Sequence, residues 1–208
     1  MKKAFFLFFS LLSVCGFAQG KLDFSDITKN VQDSTSSYFY EKLTYQFIYR
    51  PTSLDSAEAK HLYYGQFKAK KINTPQRSNS FFRLVKENKC VEAIPEGENI
   101  LKTDPVNMEV LGLIVKCYSD VDEDNNMLPL RGLQFRTLVE AVLSNAEDTG
   151  THKLYTVMAV VDEYIIAGIQ NIDLMTYRRN SEQSQHGVTD HWKKGRKKIS
   201  FQVIYPKD

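Results

Sequence analysis

Beyond its first eighteen residues the chain has no apolar run of about 18 residues, the length a helix needs to cross a bilayer, so no transmembrane span is expected there. It also lacks net charge. Lys and Arg total 27 against 25 Asp and Glu, and Lys2 and Lys3 both lie in the first eighteen residues, so the remainder balances at 25 of each. A neutral domain generates no overall field to recruit a polyanion, and nucleic-acid binding is not expected. Cysteine is scarce, with only Cys15, Cys90 and Cys117, and neither of the last two has a neighbouring His to activate it. No serine stands in a recognisable nucleophile setting.

Metal-ligand spacing is missing too. Asp120, Asp122 and Asp124 match the first three positions of a calcium loop, but Asn125 stands where the sharp-turn glycine belongs and Arg131 where the bidentate glutamate would be. In HGVTDH (His186 to His191), Asp190 and His191 would point to opposite faces of a strand, and no further ligand follows at zinc spacing. No metal and no cofactor is expected.

What the first residues hold is an address. Met1-Lys2-Lys3 is a cationic start followed by the uncharged apolar run Ala4 to Phe17, too short for a stable membrane anchor. Gly16-Phe17-Ala18 supplies small residues before a cut, so residues 1–18 read as a signal peptide cleaved near Ala18, with export to the periplasm or beyond. The rival is a lipid anchor at Cys15. It is disfavoured because Val14 stands where the lipoprotein peptidase needs a small residue. About 190 residues remain, enough for one domain with a substantial core.

Residues 30–147 read as helical. Ser37 to Arg50 distributes Tyr38, Phe39, Tyr40, Leu43, Tyr45, Phe47, Ile48 and Tyr49 around most of a helix, which would need cover on more than one side. Pro51 stops it. Asp55-Ser56-Ala57-Glu58 has the spacing of a capping box and opens a helix to about Ile72. A short helix is expected over 80–88. A helical pair over 89–102 and 106–118 turns at Asp104-Pro105, with Asp104 as N-cap, and a last helix runs from about Pro129 to Ala146. The pair has a tetratricopeptide-like look, since Ala93, Ile100, Leu101 and Asp104-Pro105-Val106-Asn107 fall at the small, large and DP-N positions. Pro95 departs from that pattern and no second copy follows at the 34-residue period. Cys90 and Cys117 lie nearly equidistant from the turn, so an antiparallel hairpin brings them level. A disulfide there would close a loop of about 28 residues; two buried thiols would also satisfy the pattern.

After residue 150 the period changes. Leu154 to Val161 is a continuous apolar, β-rich run, interrupted by Asp162-Glu163-Tyr164 and resumed to Ile169. Ile172-Leu174-Thr176, Val188-Asp190-Trp192 and Ile199-Phe201-Val203-Tyr205 then alternate in two-residue steps, with polar turns near Gln183 and Gly195. The expected fold is therefore α+β, a single domain over 19–208. A helical, tetratricopeptide-like layer packs on an antiparallel β-meander spanning 152–206.

Two groups of residues are candidates for function. In HLYYGQ (61–66), helical phase puts Tyr63 and Gln66 on the apolar arc and Tyr64 on the opposite face among Lys60, His61, Lys68 and Lys71. Gly65 costs about 1 kcal/mol in a helix interior and marks close approach of a neighbour. Gln66 needs hydrogen-bond partners, most simply the backbone of a flanking loop. Paired acids after a buried strand, Asp162 and Glu163 beside Tyr164, can be held at raised pKa for acid–base work, or can equally be the acidic first turn of a helix. KKGRKK (193–198) reads as a cationic hairpin tip, whose solvated form needs no ligand and whose functional form would take an anionic glycan or lipid headgroup.

YFYEKLTYQFIYRPTSLDSAEAKHLYYGQ, the VVDEY element and the terminal FQVIYP resemble the secreted, Bacteroidota-type proteins grouped as domain of unknown function 4919. The matching positions are Tyr49, Pro51, Asp55, Tyr63, Tyr64, Gly65, Gln66, Asp162, Glu163 and Tyr164. The resemblance implies export, a helical first part, a β-rich last part, and no established activity. The leading expectation is a non-catalytic domain that binds an envelope protein or glycan through Tyr64 and its lysines. The alternative is a hydrolase-like enzyme using Asp162 and Glu163 near Tyr63 and Gln66. The two differ in geometry: binding needs Tyr64 exposed, and hydrolysis needs both acids in one pocket.

Overall fold

A computed structural model describes residues 22–69, 79–184 and 187–205, with backbone alone at 67–69 and 79. The leader region and Ile72 lie outside the described residues. Helices α1 (Phe24–Gln32), α2 (Tyr40–Tyr49), α3 (Ser56–Ala69), α4 (Asn79–Lys86), α5 (Cys90–Thr103), α6 (Met108–Val121) and α7 (Met127–Leu143) come first. The sheet follows, as β1 (Glu147–Asp148), β2 (Lys153–Val157), β3 (Arg178–Ser184), β4 (Gly187–Lys194) and β5 (Lys197–Ile204), with α8 (Val160–Ile169) between β2 and β3. The α+β class holds, helices mostly first.

Local chemistry explains the helix ends. Asp55 and Glu58 form the reciprocal capping box: Glu58 N–H donates to Asp55 Oδ1 at 2.8 Å, and Asp55 N–H donates to Glu58 Oε2 at 3.0 Å. Pro51 opens a single 3-10 turn that ends α2. The N-cap of α6 is Asn107, whose Oδ1 accepts from Val110 N–H at 3.0 Å. This corrects the expectation for Asp104, which instead ends α5 and accepts from Asn107 Nδ2 at 3.0 Å. The α5–α6 hairpin carries a disulfide between Cys90 and Cys117, with Cα atoms 4.9 Å apart.

α2 corrects the idea of a helix covered nearly all round. Leu43 and Phe47 are buried, but Tyr45 and Tyr49 are exposed, one turn apart, with ring centres 4.8 Å apart. α2 is tied to α7 at one point. The buried Gln134 donates from Nε2 to the Phe47 carbonyl at 2.9 Å and the Ile48 carbonyl at 3.2 Å, satisfying the open end of α2. Its Oε1 accepts from Arg131, which also pairs with Glu98 of α5.

The sheet departs from the expected meander in two ways. Its spatial order is β1-β2-β5-β4-β3, and β2 pairs with β5 in parallel, Tyr155 beside Phe201 and Val157 beside Val203. The other pairings are antiparallel, so the sheet is mixed. Residues 160–169, expected to continue the strand run, form α8, and Leu174–Thr176 is a 3-10 turn rather than a strand. β3, wholly polar and exposed from Arg178 to Gln183, is one edge of the sheet. Ile199, Phe201 and Val203 of β5, Trp192 of β4, and Tyr155 and Val157 of β2 line one face and join the helices in one contiguous core cluster. Ser200 and Gln202 point to the other face with His191 and Thr189.

Candidate functional site

α3 is enclosed by α1, α2 and α7 and reaches the sheet through its tyrosines. His61, Leu62, Tyr63, Tyr64 and Gln66 are all buried. Tyr64 is therefore buried and does not stand on a solvated basic face; Lys71 lies outside the described residues. Its ring packs edge-on against Phe24 of α1, centres 6.0 Å apart, and its hydroxyl donates to the Thr156 carbonyl of β2 at 3.1 Å. His61, expected to be a surface cation, stacks on Tyr38 at 3.9 Å and contacts the Ala57 carbonyl through Nδ1 at 2.8 Å. Gly65 meets the expectation of close approach: a Cβ there would lie 2.5 Å from Val31 Cγ1 of α1. Gln66 donates to the Tyr63 carbonyl of its own helix at 2.8 Å; the loop that follows α3 lies outside the described residues. Lys60 is half-buried; the side chain of Lys68 lies outside the described residues.

The tyrosines meet the acids. Tyr63 Oη donates to Asp162 Oδ2 at 2.7 Å and accepts from Met158 N–H at 3.1 Å, joining α3 to the first turn of α8. Burial drives the Tyr63 phenol well above its ordinary pKa, and Asp162 adds to the effect. Burial likewise raises Asp162 to about 6, opposed by its bond from Tyr63. Glu163 looks the other way. Its Oε2 accepts from Trp192 Nε1 of β4 at 2.8 Å, while Oε1 makes no hydrogen bond. Burial, and next the adjoining Asp190, push Glu163 up to about 8.

Asp190 is fully buried beneath the edge strand. Arg179 Nη2 donates to its Oδ2 at 2.6 Å and Ser181 Oγ to its Oδ1. Burial alone would raise this carboxyl, but those two donors outweigh it and hold it below the ordinary aspartate value. Arg179 also lies 5.6 Å from the Trp192 ring centre, and Tyr164, 39 % exposed, meets the same indole edge-on at 5.7 Å. The constellation is thus a buried polar seam running from α3 through α8 to β4.

Its chemistry follows from the helix. Consecutive residues of α8 diverge by about 100°, so Asp162 faces α3 and Glu163 faces β4, and the two cannot act on one substrate. Both are shut from solvent. Among the described residues, two open clefts lie away from this seam. One, of about 470 Å³, runs between Leu54–Ala59 and Thr137–Ser144; the other, of about 580 Å³, lies beside Tyr177 and the β4–β5 turn. Neither is lined by Asp162, Glu163, Tyr63 or Tyr64.

A second cluster escaped sequence reasoning. On the outer sheet face Ser200 Oγ sits 2.7 Å from both His152 Nε2 and His191 Nδ1, and Glu182 lies 3.6 Å from His191 Nε2. Burial holds the His152 pKa below its ordinary value. Ser200 is fully buried and bonded to both imidazoles, so it is a satisfied bridge and not an open nucleophile. Cross-strand register, Ser200 opposite His191, is the signal that would have found it. Among the described residues no group of three or more His, Cys, Asp or Glu could hold a metal ion.

Fold and seam together define an α+β domain whose distinctive polar residues act internally. The family model for the domain of unknown function DUF4919 matches residues 25–205, and the chain belongs to that family. No curated protein and no solved structure matches it.

Proposed function

We propose that this protein is an exported, non-catalytic interaction domain of the cell envelope, released by cleavage near Ala18. The observation that carries the reading is the fate of the two acids: Asp162 and Glu163 are buried, diverge along α8, and are engaged by Tyr63 and Trp192 respectively. That arrangement argues against the hydrolase alternative, which needs both carboxyls to reach one substrate. Among the described residues no helix is long and apolar enough to cross a membrane. The tetratricopeptide-like α5–α6 hairpin is, on this reading, part of the scaffold. Contact residues lie on the surface instead: the exposed pair Tyr45 and Tyr49 is of the type enriched where proteins meet partners.

The experiment has two arms. Esterase, glycosidase and peptidase substrates are offered to the purified protein and to Asp162→Asn and Glu163→Gln; turnover lost in either variant would refute the reading. A library of envelope proteins and glycans is then screened by thermal shift, where a native-state ligand at a hundredfold excess over Kd stabilises by about 2.7 kcal/mol.

A further inference from the structure

β3 begins, β4 finishes and β5 begins at the same end of the sheet. Register sets Arg178 opposite Lys193 and Lys193 opposite Lys198 on one face, and Lys194 opposite Lys197 on the other. Arg196 stands at the tip in a two-residue turn whose first position, Gly195, has φ 59°, the left-handed region that glycine adopts freely. Like charges directly across a sheet repel. None of these six cations forms an ion pair among the described residues. Asp173, which lines the cleft with Lys194, Arg196 and Lys197, caps Met175 N–H at 3.0 Å.

Apolar groups sit beside the cations. Lys194 Nζ donates to Thr176 Oγ1 at 3.0 Å and lies 5.8 Å from the Tyr177 ring centre, so Met175 is carried to the same end. Met175 is 81 % exposed, and Ile169, at the end of α8 just before the cleft, is 46 % exposed. Because the charges occupy both faces and the tip, no single groove reaches them all. A plane does.

We propose that this end of the sheet docks the protein on an anionic phospholipid surface, with Lys and Arg on the phosphates and Met175 entering the interfacial layer. This inference rests on the reading of the protein as a binding domain. A sulfated or uronic polysaccharide would satisfy the cations but offers no apolar phase for Met175, whereas a bilayer satisfies both. Because the chain after residue 18 is neutral overall, the attraction at this end is local and not the work of a global field.

The test uses the protein expressed from Gln19, which retains the whole core found among the described residues and leaves out the apolar leader, which would itself bind lipid. Co-sedimentation is measured with phosphatidylcholine vesicles with and without phosphatidylglycerol, at low and high salt. Binding confined to phosphatidylglycerol vesicles and lost in high salt is expected. Arg196→Glu with Lys197→Glu should weaken it at least about thirtyfold, and Met175→Asp should weaken vesicle binding while leaving retention on heparin unchanged. All three substitutions are at exposed positions, and an unaltered melting curve shows the fold intact. Competition by millimolar inorganic phosphate would mean a free-anion site in the cleft and overturn the proposal. So would retention on heparin without vesicle binding, which assigns the surface to a glycan. Absence of both, with a protein partner still found by thermal shift, would sink the lipid inference and leave the binding reading standing.

Discussion

Tyr63 and Asp162 stand ninety-nine residues apart in sequence and 2.7 Å apart in space, phenol to carboxylate, where α3 meets the first turn of α8. The same phenol oxygen accepts from Met158 N–H. A single side chain thus satisfies a buried acid and a buried backbone donor. Tyr63→Phe removes both bonds, leaving Asp162 only the backbone N–H groups of Met158 and Ala159, and should lower unfolding free energy by about 1–3 kcal/mol, where Tyr64→Phe, losing one bond to a carbonyl, should cost about 1 kcal/mol. Urea unfolding at neutral pH checks the order of the two, and equal small effects would mean that the seam contributes little.

Stability should fall as pH rises from about 4.5 to about 8. Asp162 and Glu163 are raised in the folded state, to about 6 and about 8, so the folded protein binds more protons than the unfolded chain across that range. Their contribution is complete below the unfolded values and is lost as pH climbs through the folded ones. Asp190, held low by Arg179 and Ser181, acts in the opposite direction and loses its contribution in acid. Melting temperature followed against pH should show a decline on the alkaline side that Glu163→Gln flattens; an unchanged slope would show that Glu163 titrates normally.

Gly65→Ala should destabilise by about 1–3 kcal/mol, because the added methyl would meet Val31 Cγ1 at 2.5 Å where α1 crosses α3. Combining it with Val31→Ala should recover part of the loss, since the smaller side chain makes room. A double-mutant cycle reads that coupling, and strict additivity would put the clash elsewhere.

Reducing the Cys90–Cys117 bond, or replacing both residues by Ser, removes a cross-link over 27 residues of sequence separation. On the chain-entropy account this costs about 3.6 kcal/mol. The melting temperature with and without reductant measures it, and no change would mean that hairpin packing alone sets the stability of α5 and α6.

Much of the helical half was legible because its signals are local: the capping box at Asp55 and the stop at Pro51 each act within a few residues of themselves, and the cysteines, 27 residues apart, are related by symmetry about a single turn. Phase along α3 was legible as well, but phase gives directions and not what lies in each direction. Tyr64 leaves the helix about 100° from Tyr63, yet the two buried rings meet edge-on with centres 4.9 Å apart, and both hydroxyls end between β2 and α8. The run VVDEYIIAGI was misread for a related reason: a short apolar stretch fits a buried strand or a buried helix equally. The acids in its first turn, offered at sequence level as one of two readings, were the discriminating signal. β3 left no apolar trace at all, because an exposed edge strand has no face to bury.

The middle position of β5 bears on the order of assembly. β2 is made early, yet its parallel partner arrives only after α8 and the β3–β4 hairpin have been laid down. Until Lys197–Ile204 slides between β2 and β4, Tyr155 has no Phe201 beneath it and the sheet remains two separate fragments. A chain delivered from its N-terminus can therefore form its helical layer first, but closing the sheet has to wait for its keystone strand.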